Sequence, residues 1–302
     1  MQAAVVWTIT GLIGVAFSIR ELARSGHLSA QTTAWVSVGL LVSFPAQIVW
    51  QRGQVTWLLL YPMTRAWIAY RKHRPYIAGA WLAPVIAVKP ILALMPFCLG
   101  WTTLWTSGLG SAALAAIGIG ITGWRDWADW LAAVSRVVWY AWPLNASIWS
   151  VGVRAMGVRA MERTTLAVLP TAWIVIAVFV GVAILVTAWR VRADRDRRWA
   201  IAGIYVLALA PLGWIYYLPL FTGALALLLT TRVPSPLLRI GVMCQMVPIP
   251  VFRGVAETSP WLFATLGSLY WWGLVSLWIG VLRMPQTATG TAPLEPAGGP
   301  GR

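Results

Sequence analysis

The chain has 302 residues, 59% of them hydrophobic and 10% charged, and a formal net charge of +15. A mean hydropathy of +0.73 is far from that of a soluble domain and excludes one. The charge does not indicate a nucleic-acid binder, because the basic residues stand at the ends of apolar runs, where the positive-inside rule places them. Cys98 and Cys244 lie in apolar runs without metal-ligand spacing, so neither a disulfide framework nor a zinc site is expected.

Apolar runs recur at about 3–19, 33–50, 55–70, 77–88, 91–105, 109–122, 165–189, 200–213, 215–230, 237–251 and 261–282. A full span needs about 20 residues, so several of these runs read as half-helices joined at Pro or Gly. The expected fold is all-α, a multi-pass protein of the cell membrane with about 9–11 transmembrane or half-membrane helices. Residues 1–284 form its single domain, and a disordered tail rich in Pro and Gly follows over 285–302.

If the runs alternate, Arg20, Arg24, Arg71, Lys72, Arg74, Arg190, Arg192, Arg195, Arg197, Arg198, Arg232, Arg239 and Arg283 fall on one face, which the rule makes cytoplasmic. Met1 then lies outside without a preceding topogenic segment, as expected either of a miscounted hairpin or of a chain whose first helices are missing from this sequence. Near its centre the run 77–88 stops on Lys89-Pro90. An ammonium in an apolar segment costs roughly 2.5–3.5 kcal/mol, so Lys89 is expected beside water or an anion. The plainer alternative is a lysine snorkelling from a helix end.

The longest stretch expected outside covers 123–164. Trp124, Trp127, Trp130, Leu131, Val134 and Val138 share one helical face, while Arg125, Asp126, Asp129 and Ser135 share the other. This predicts a helix lying along the membrane surface, with Arg125 and Asp129 at ion-pair spacing. Asn145 and Ser147 follow, then Arg154, Arg159 and Arg163. Positive charge placed against the general rule suggests an anionic head group or a phosphate. Later outward loops carry Trp214, Tyr216 and Tyr217, and then Glu257.

The order Gly53-Gln54-Val55, a basic loop, Ala78-Gly79 with Leu82 and Lys89-Pro90, Asn145-Ala-Ser147, and Tyr216-Tyr217 before Leu-Pro resembles glycosyltransferase family 87 over about residues 33–230. The resemblance implies a GT-C fold, a polyprenyl-phosphate-mannose donor, and an actinobacterial or other prokaryotic cell envelope. Departures are Thr56 where the family reads Asn, and Trp214-Ile-Tyr216-Tyr217 in place of a Ser-Pro and histidine signature. The N-terminal helices and the first-loop aspartate of GT-C enzymes are also expected to be lacking, and the early acid Glu21 falls on the cytoplasmic side.

Such an enzyme transfers a hexose from polyprenyl phosphate to a glycolipid or glycan acceptor at the outer face, among membrane lipids and without nucleic acid. Lys89, Arg154, Arg159 and Arg163 are the expected phosphate-binding cations, and Gln54, Asn145, Tyr216 and Tyr217 the hydrogen-bonding groups for sugar or phosphate. Asp126, Asp129 and Glu257, with Glu162, are the acids available as base, and none has a motif behind it. No cofactor is indicated, and a divalent metal ion stays open as an addition. Two readings from other classes remain: a non-catalytic lipid-binding subunit that lacks the base, and a secondary transporter, for which internal repeats would be expected.

Overall fold

A computed structural model describes residues 2–25, 28–230, 235–248 and 254–284. The expected tail over 285–302 lies outside the described residues. Among these residues the chain is all helical, without strands, and its helices are as follows. First come α1 (Gln2–Arg24), α2 (Ala30–Val42), α3 (Phe44–Gln51), α4 (Thr56–Arg71) and α5 (Pro75–Val88). Next are α6 (Met95–Leu99), α7 (Trp101–Thr122), α8 (Trp124–Ser135), α9 (Ile148–Ala155), α10 (Thr171–Arg190) and α11 (Arg195–Leu209). The last are α12 (Thr222–Thr230), α13 (Pro236–Met246), α14 (Pro260–Thr265) and α15 (Leu269–Arg283).

Among the described residues four helices are long and apolar enough to cross a membrane: Val5–Arg24, Trp101–Thr122, Thr171–Arg190 and Pro260–Arg283. The α2–α3 pair, bent by 47° where Ser43 and Pro45 interrupt it, makes a fifth if counted as one span. The chain is a polytopic helical membrane protein. Its core is apolar, and so is much of its outer surface. On α7 the buried side chains are Thr103 and Ser107, while Trp101, Leu109, Ile117 and Ile121 are exposed. Small residues let helices approach where lipid supplies the apolar surroundings. A Cβ on Gly79 of α5 would come within 2.7 Å of Thr106, and one on Gly110 of α7 within 2.7 Å of Ala83.

Those contacts, with Ser111 donating to the Ala83 carbonyl at 3.0 Å, show α5 and α7 running side by side in the same direction. The chain between them therefore has to return. It does so as a 3₁₀ helix, Pro90–Leu94, followed by α6. The return ends where Tyr70, at the close of α4, donates to the Leu99 carbonyl at 3.2 Å. Residues 75–99 thus form a hairpin that enters and leaves at one end of the bundle, with Lys89 at its tip. The boundary between the elements of the 91–105 and 109–122 runs falls at Gly100, whose φ of 117° only glycine adopts without strain, and not near residue 107 as the apolar runs suggest.

The basic end is tied by polar contacts. Arg71 Nε pairs with Asp196 at 2.9 Å, and Trp67 Nε1 donates to the same carboxylate at 3.1 Å. Arg195 donates to the Tyr70 carbonyl and Arg197 to that of Leu282. The ends of α4, α6, α11 and α15 meet there. At the opposite end Asn145 and Trp214 form an antiparallel bridge, with Ala146 N donating to Gly213 O at 2.8 Å and Ile215 N to Leu144 O at 3.0 Å. This bridge brings the long 123–164 stretch onto the loop after α11. The surface helix expected from residue 124 is α8, and it stops at Ser135. Its Trp124, Leu131 and Val134 are exposed, and so are Arg125, Asp126 and Asp129. Arg125 and Asp129 make no ion pair at their i,i+4 spacing, consistent with the small worth of exposed pairs.

Candidate functional site

Pro90 explains why Lys89 stands where it does. A proline disfavours helical geometry in the residue before it, and Lys89, with φ −131° and ψ 82°, ends α5. Half-buried at the hairpin tip, it places its ammonium 5.6 Å from the centre of the Tyr217 ring. Tyr217 meets Tyr216 edge-on at 4.8 Å, and Tyr216 stacks on Trp214 at 5.7 Å. Tyr216 and Tyr217 lie in a 3₁₀ helix, Ile215–Phe221, that leads from the 145–214 bridge down into α12. Lys89, Tyr217, Tyr216 and Trp214 are therefore one continuous series of contacts from the hairpin tip to the opposite end of the bundle.

Tyr216 and Trp214 face a cavity of about 210 Å³, whose walls include Ile48, Arg52, Gln54 and Trp142. The turn carrying Arg52 and Gln54 is a helix C-terminal cap. Gly53 takes φ +58°, and Gln54 N returns to the Val49 carbonyl at 3.0 Å. The cap aims both polar side chains into the cavity. Arg52 escaped the sequence reading, although a cation directly before Gly53-Gln54, away from the basic end, was a signal for it. A second, apolar groove of about 270 Å³ runs between α2, α3, the 215–221 segment, α12 and α13, with Trp35, Pro45, Leu218, Leu225 and Val242 among its walls. Cavity and groove share α3 and the 215–221 segment.

The other expected site residues separate. Asn145 is fully buried; its Nδ2 donates to the carbonyls of Pro211 at 2.9 Å and Tyr140 at 3.2 Å, and its Oδ1 accepts from Ser147 N. Arg154 is also fully buried. It donates to the carbonyls of Ala141, Trp142 and Asn145 and, at 2.6 Å, to Ser268 Oγ. Burial lowers the pKa of this guanidinium to about 9, and the acceptors around it offset part of that desolvation. Both residues hold the 140–147 loop that forms one wall of the cavity. Arg159 and Arg163 are exposed, and Glu162 accepts from Arg159 N at 3.2 Å. Asp129 is exposed, Glu257 half-buried, and Asp126 lines a separate cavity beside the end of α5.

The family model of glycosyltransferase family 87 matches residues 1–212. No curated protein and no solved structure matches the chain. The matched region contains α1 to α11, and with them Gln54, the Lys89 hairpin and the Asn145 loop. On that match the chain belongs to glycosyltransferase family 87, a membrane glycosyltransferase whose helical architecture is consistent with the GT-C fold.

Proposed function

We propose that this glycosyltransferase takes a hexose, mannose by the resemblance, from a polyprenyl phosphate and passes it to a hydroxyl of a glycolipid or glycan at the extracytoplasmic face of the cell membrane. The observation that carries this reading is the shared wall. The polar cavity takes Ile48 from α3 and Tyr216 from the 215–221 segment, while the apolar groove takes Pro45 and Leu218 from the same two elements. An amphiphile with an anionic head and a long hydrocarbon tail fits both at once. Neither space alone would accommodate it, since a bare apolar groove offers the phosphate nothing and a small polar cavity leaves the tail in no defined place.

In this reading Arg52 and Lys89 are the cations nearest the phosphate, and Gln54 and Tyr216 supply hydrogen bonds to phosphate or sugar. The acceptor oxygen attacks the anomeric carbon and the bond from that carbon to the phosphate oxygen breaks. Polyprenyl phosphate leaves with the electron pair, and the acceptor's proton passes to a carboxylate at this end of the bundle. Fixed cations aimed at the developing phosphate charge are the main contribution the protein makes, because they need no reorganisation as the bond breaks. The aromatic series above Lys89 keeps bulk water from its ammonium on one side, which strengthens its field. The basic end, rich in Arg71, Lys72, Arg74 and Arg190, then faces the cytoplasm.

Purified chain in lipid nanodiscs, given a polyprenyl-phosphate-mannose with a photoactivatable tail, tests the reading. Saturable labelling of Leu218, Leu225 or Val242, competed by unlabelled lipid, is expected. Labelling confined to other surfaces, or labelling that lipid does not compete, would refute it.

A further inference from the structure

We propose that a second cavity, between the end of α5 and α8, binds the hexose ring of the acceptor. It is an open cleft of about 280 Å³ lined by Ala87, Val88, Thr122, Asp126, Trp127 and Trp130. This rests on the donor reading above for its role, and on its own geometry for the ligand. The indoles of Trp127 and Trp130 stand at 65° to one another with centroids 5.8 Å apart. Beside them are one hydroxyl and one carboxylate. A pyranose has the complementary chemistry, with a face of C–H groups that packs on an aromatic ring and a rim of hydroxyls that need acceptors.

Two details distinguish this cavity from the general habit of tryptophan at a membrane interface. Trp127 is fixed over Gly118 of α7, where a Cβ would meet its ring at 3.0 Å. It is half-buried, whereas the anchoring Trp124 on the same helix is 65% exposed. The carboxylate of Asp126 turns to the same space as the indoles and has neither an ion pair nor a hydrogen bond among the described residues. Asp126 is exposed and Trp130 is 39% exposed, so the space is open on their side, and Trp127 closes it against α7. Location adds a third argument. Ala87 and Val88 immediately precede Lys89, so this cavity abuts the hairpin tip, and the rings of Tyr217 and Tyr216 lie between Lys89 and the donor cavity.

The ring can belong to a glycolipid or to a free glycan, and a pair of probes separates them. Saturation-transfer NMR on the full chain in nanodiscs would compare octyl mannoside with methyl mannoside. Transfer to the ring protons of both is expected for a site that takes free glycans, and transfer to the octyl compound alone for one that takes glycolipids. In either case D126N and W127A should reduce the ring signal at least fivefold, while W101A, on the same α7 but at its far end, should not. D126N keeps the size of an exposed side chain and so guards against misfolding of W127A. Ring signals unchanged in both variants, or saturation of the octyl tail alone, would overturn the proposal. A parallel titration with donor lipid keeps the two readings apart: K89M should weaken donor binding by at least about tenfold and retain the mannoside signal, and donor photolabelling of Leu218, Leu225 or Val242 that unlabelled lipid does not compete sinks the donor reading and leaves this one standing.

Discussion

The ammonium of Lys89 lies 5.6 Å from the centre of the Tyr217 ring, and no carboxylate among the described residues pairs with it. A ring face offers a desolvated cation only about 0.5–2 kcal/mol, less than the cost of its place in an apolar hairpin. The remainder is available to an anionic ligand. Lys89→Met, which keeps the length of the side chain, should therefore fold and stay as stable as the parent or more so. It should weaken donor binding by roughly 10–150-fold, the equivalent of a charge-assisted contact of about 1.5–3 kcal/mol. Calorimetric titration with polyprenyl-phosphate-mannose in nanodiscs checks both halves, and an unchanged affinity would remove Lys89 from the site.

Arg154 and Arg163 should behave differently although both are arginines of one outer stretch. Replacing Arg154 by Ala strips hydrogen bonds from the carbonyls of Ala141, Trp142 and Asn145. Two of them keep another donor, Asn145 N on Trp142 and Ser150 Oγ on Asn145, and a buried acceptor left unpaired costs about 1–3 kcal/mol. A fall in melting temperature of many degrees is expected, with transfer lost alongside stability. Arg163 is exposed, and its replacement should change stability by no more than about 0.5 kcal/mol. Differential scanning fluorimetry in detergent distinguishes them; equal losses would contradict the buried tie.

Sidedness can be read by cysteine labelling in intact cells, after Cys98 and Cys244 are replaced. Ser147 is a poor probe because it is fully buried. Cysteines at Arg163 and at Lys72, both exposed, should label from outside and from inside respectively. Labelling of both from one side would invalidate the orientation.

Among the acids at the cavity end, Asp126 and Asp129 are both exposed but only Asp126 lines a cavity, Glu162 accepts from a backbone amide and Glu257 is half-buried. A lost general base costs on the order of 10²–10⁴ in rate. Alanine at Asp126 should therefore lower transfer in proteoliposomes by at least that lower bound, while alanine at Asp129 should leave it within about twofold. The reverse pattern would place the base on the exposed face of α8.

Much of this was legible in the sequence. Lys89 was marked by charge within an apolar run, and Tyr216-Tyr217 by position, and the two motifs come together at the hairpin tip. The return of residues 90–99 was not legible, because hydropathy carries no direction and α7 absorbs Trp101–Trp105 from the apolar run before it. Asn145 and Arg154 looked like exposed ligands because their acceptors are main-chain carbonyls, which no side-chain pattern announces. Arg52 was missed because a cation at a helix end reads first as a topology signal. Its part in the cavity depends on a cap whose geometry brings Trp214, 162 positions later, to the same space.

The account turns on where the donor's phosphate sits. A cryo-EM map of the chain in nanodiscs, saturated with a non-transferable phosphonate analogue of polyprenyl-phosphate-mannose, would show it directly. The account predicts phosphonate density between Arg52 and Gln54, on the Tyr216 side and within reach of Lys89, with the tail passing Leu218 and Leu225. Phosphonate density on Arg159 and Arg163, or at the Arg71 end of the bundle, would contradict it.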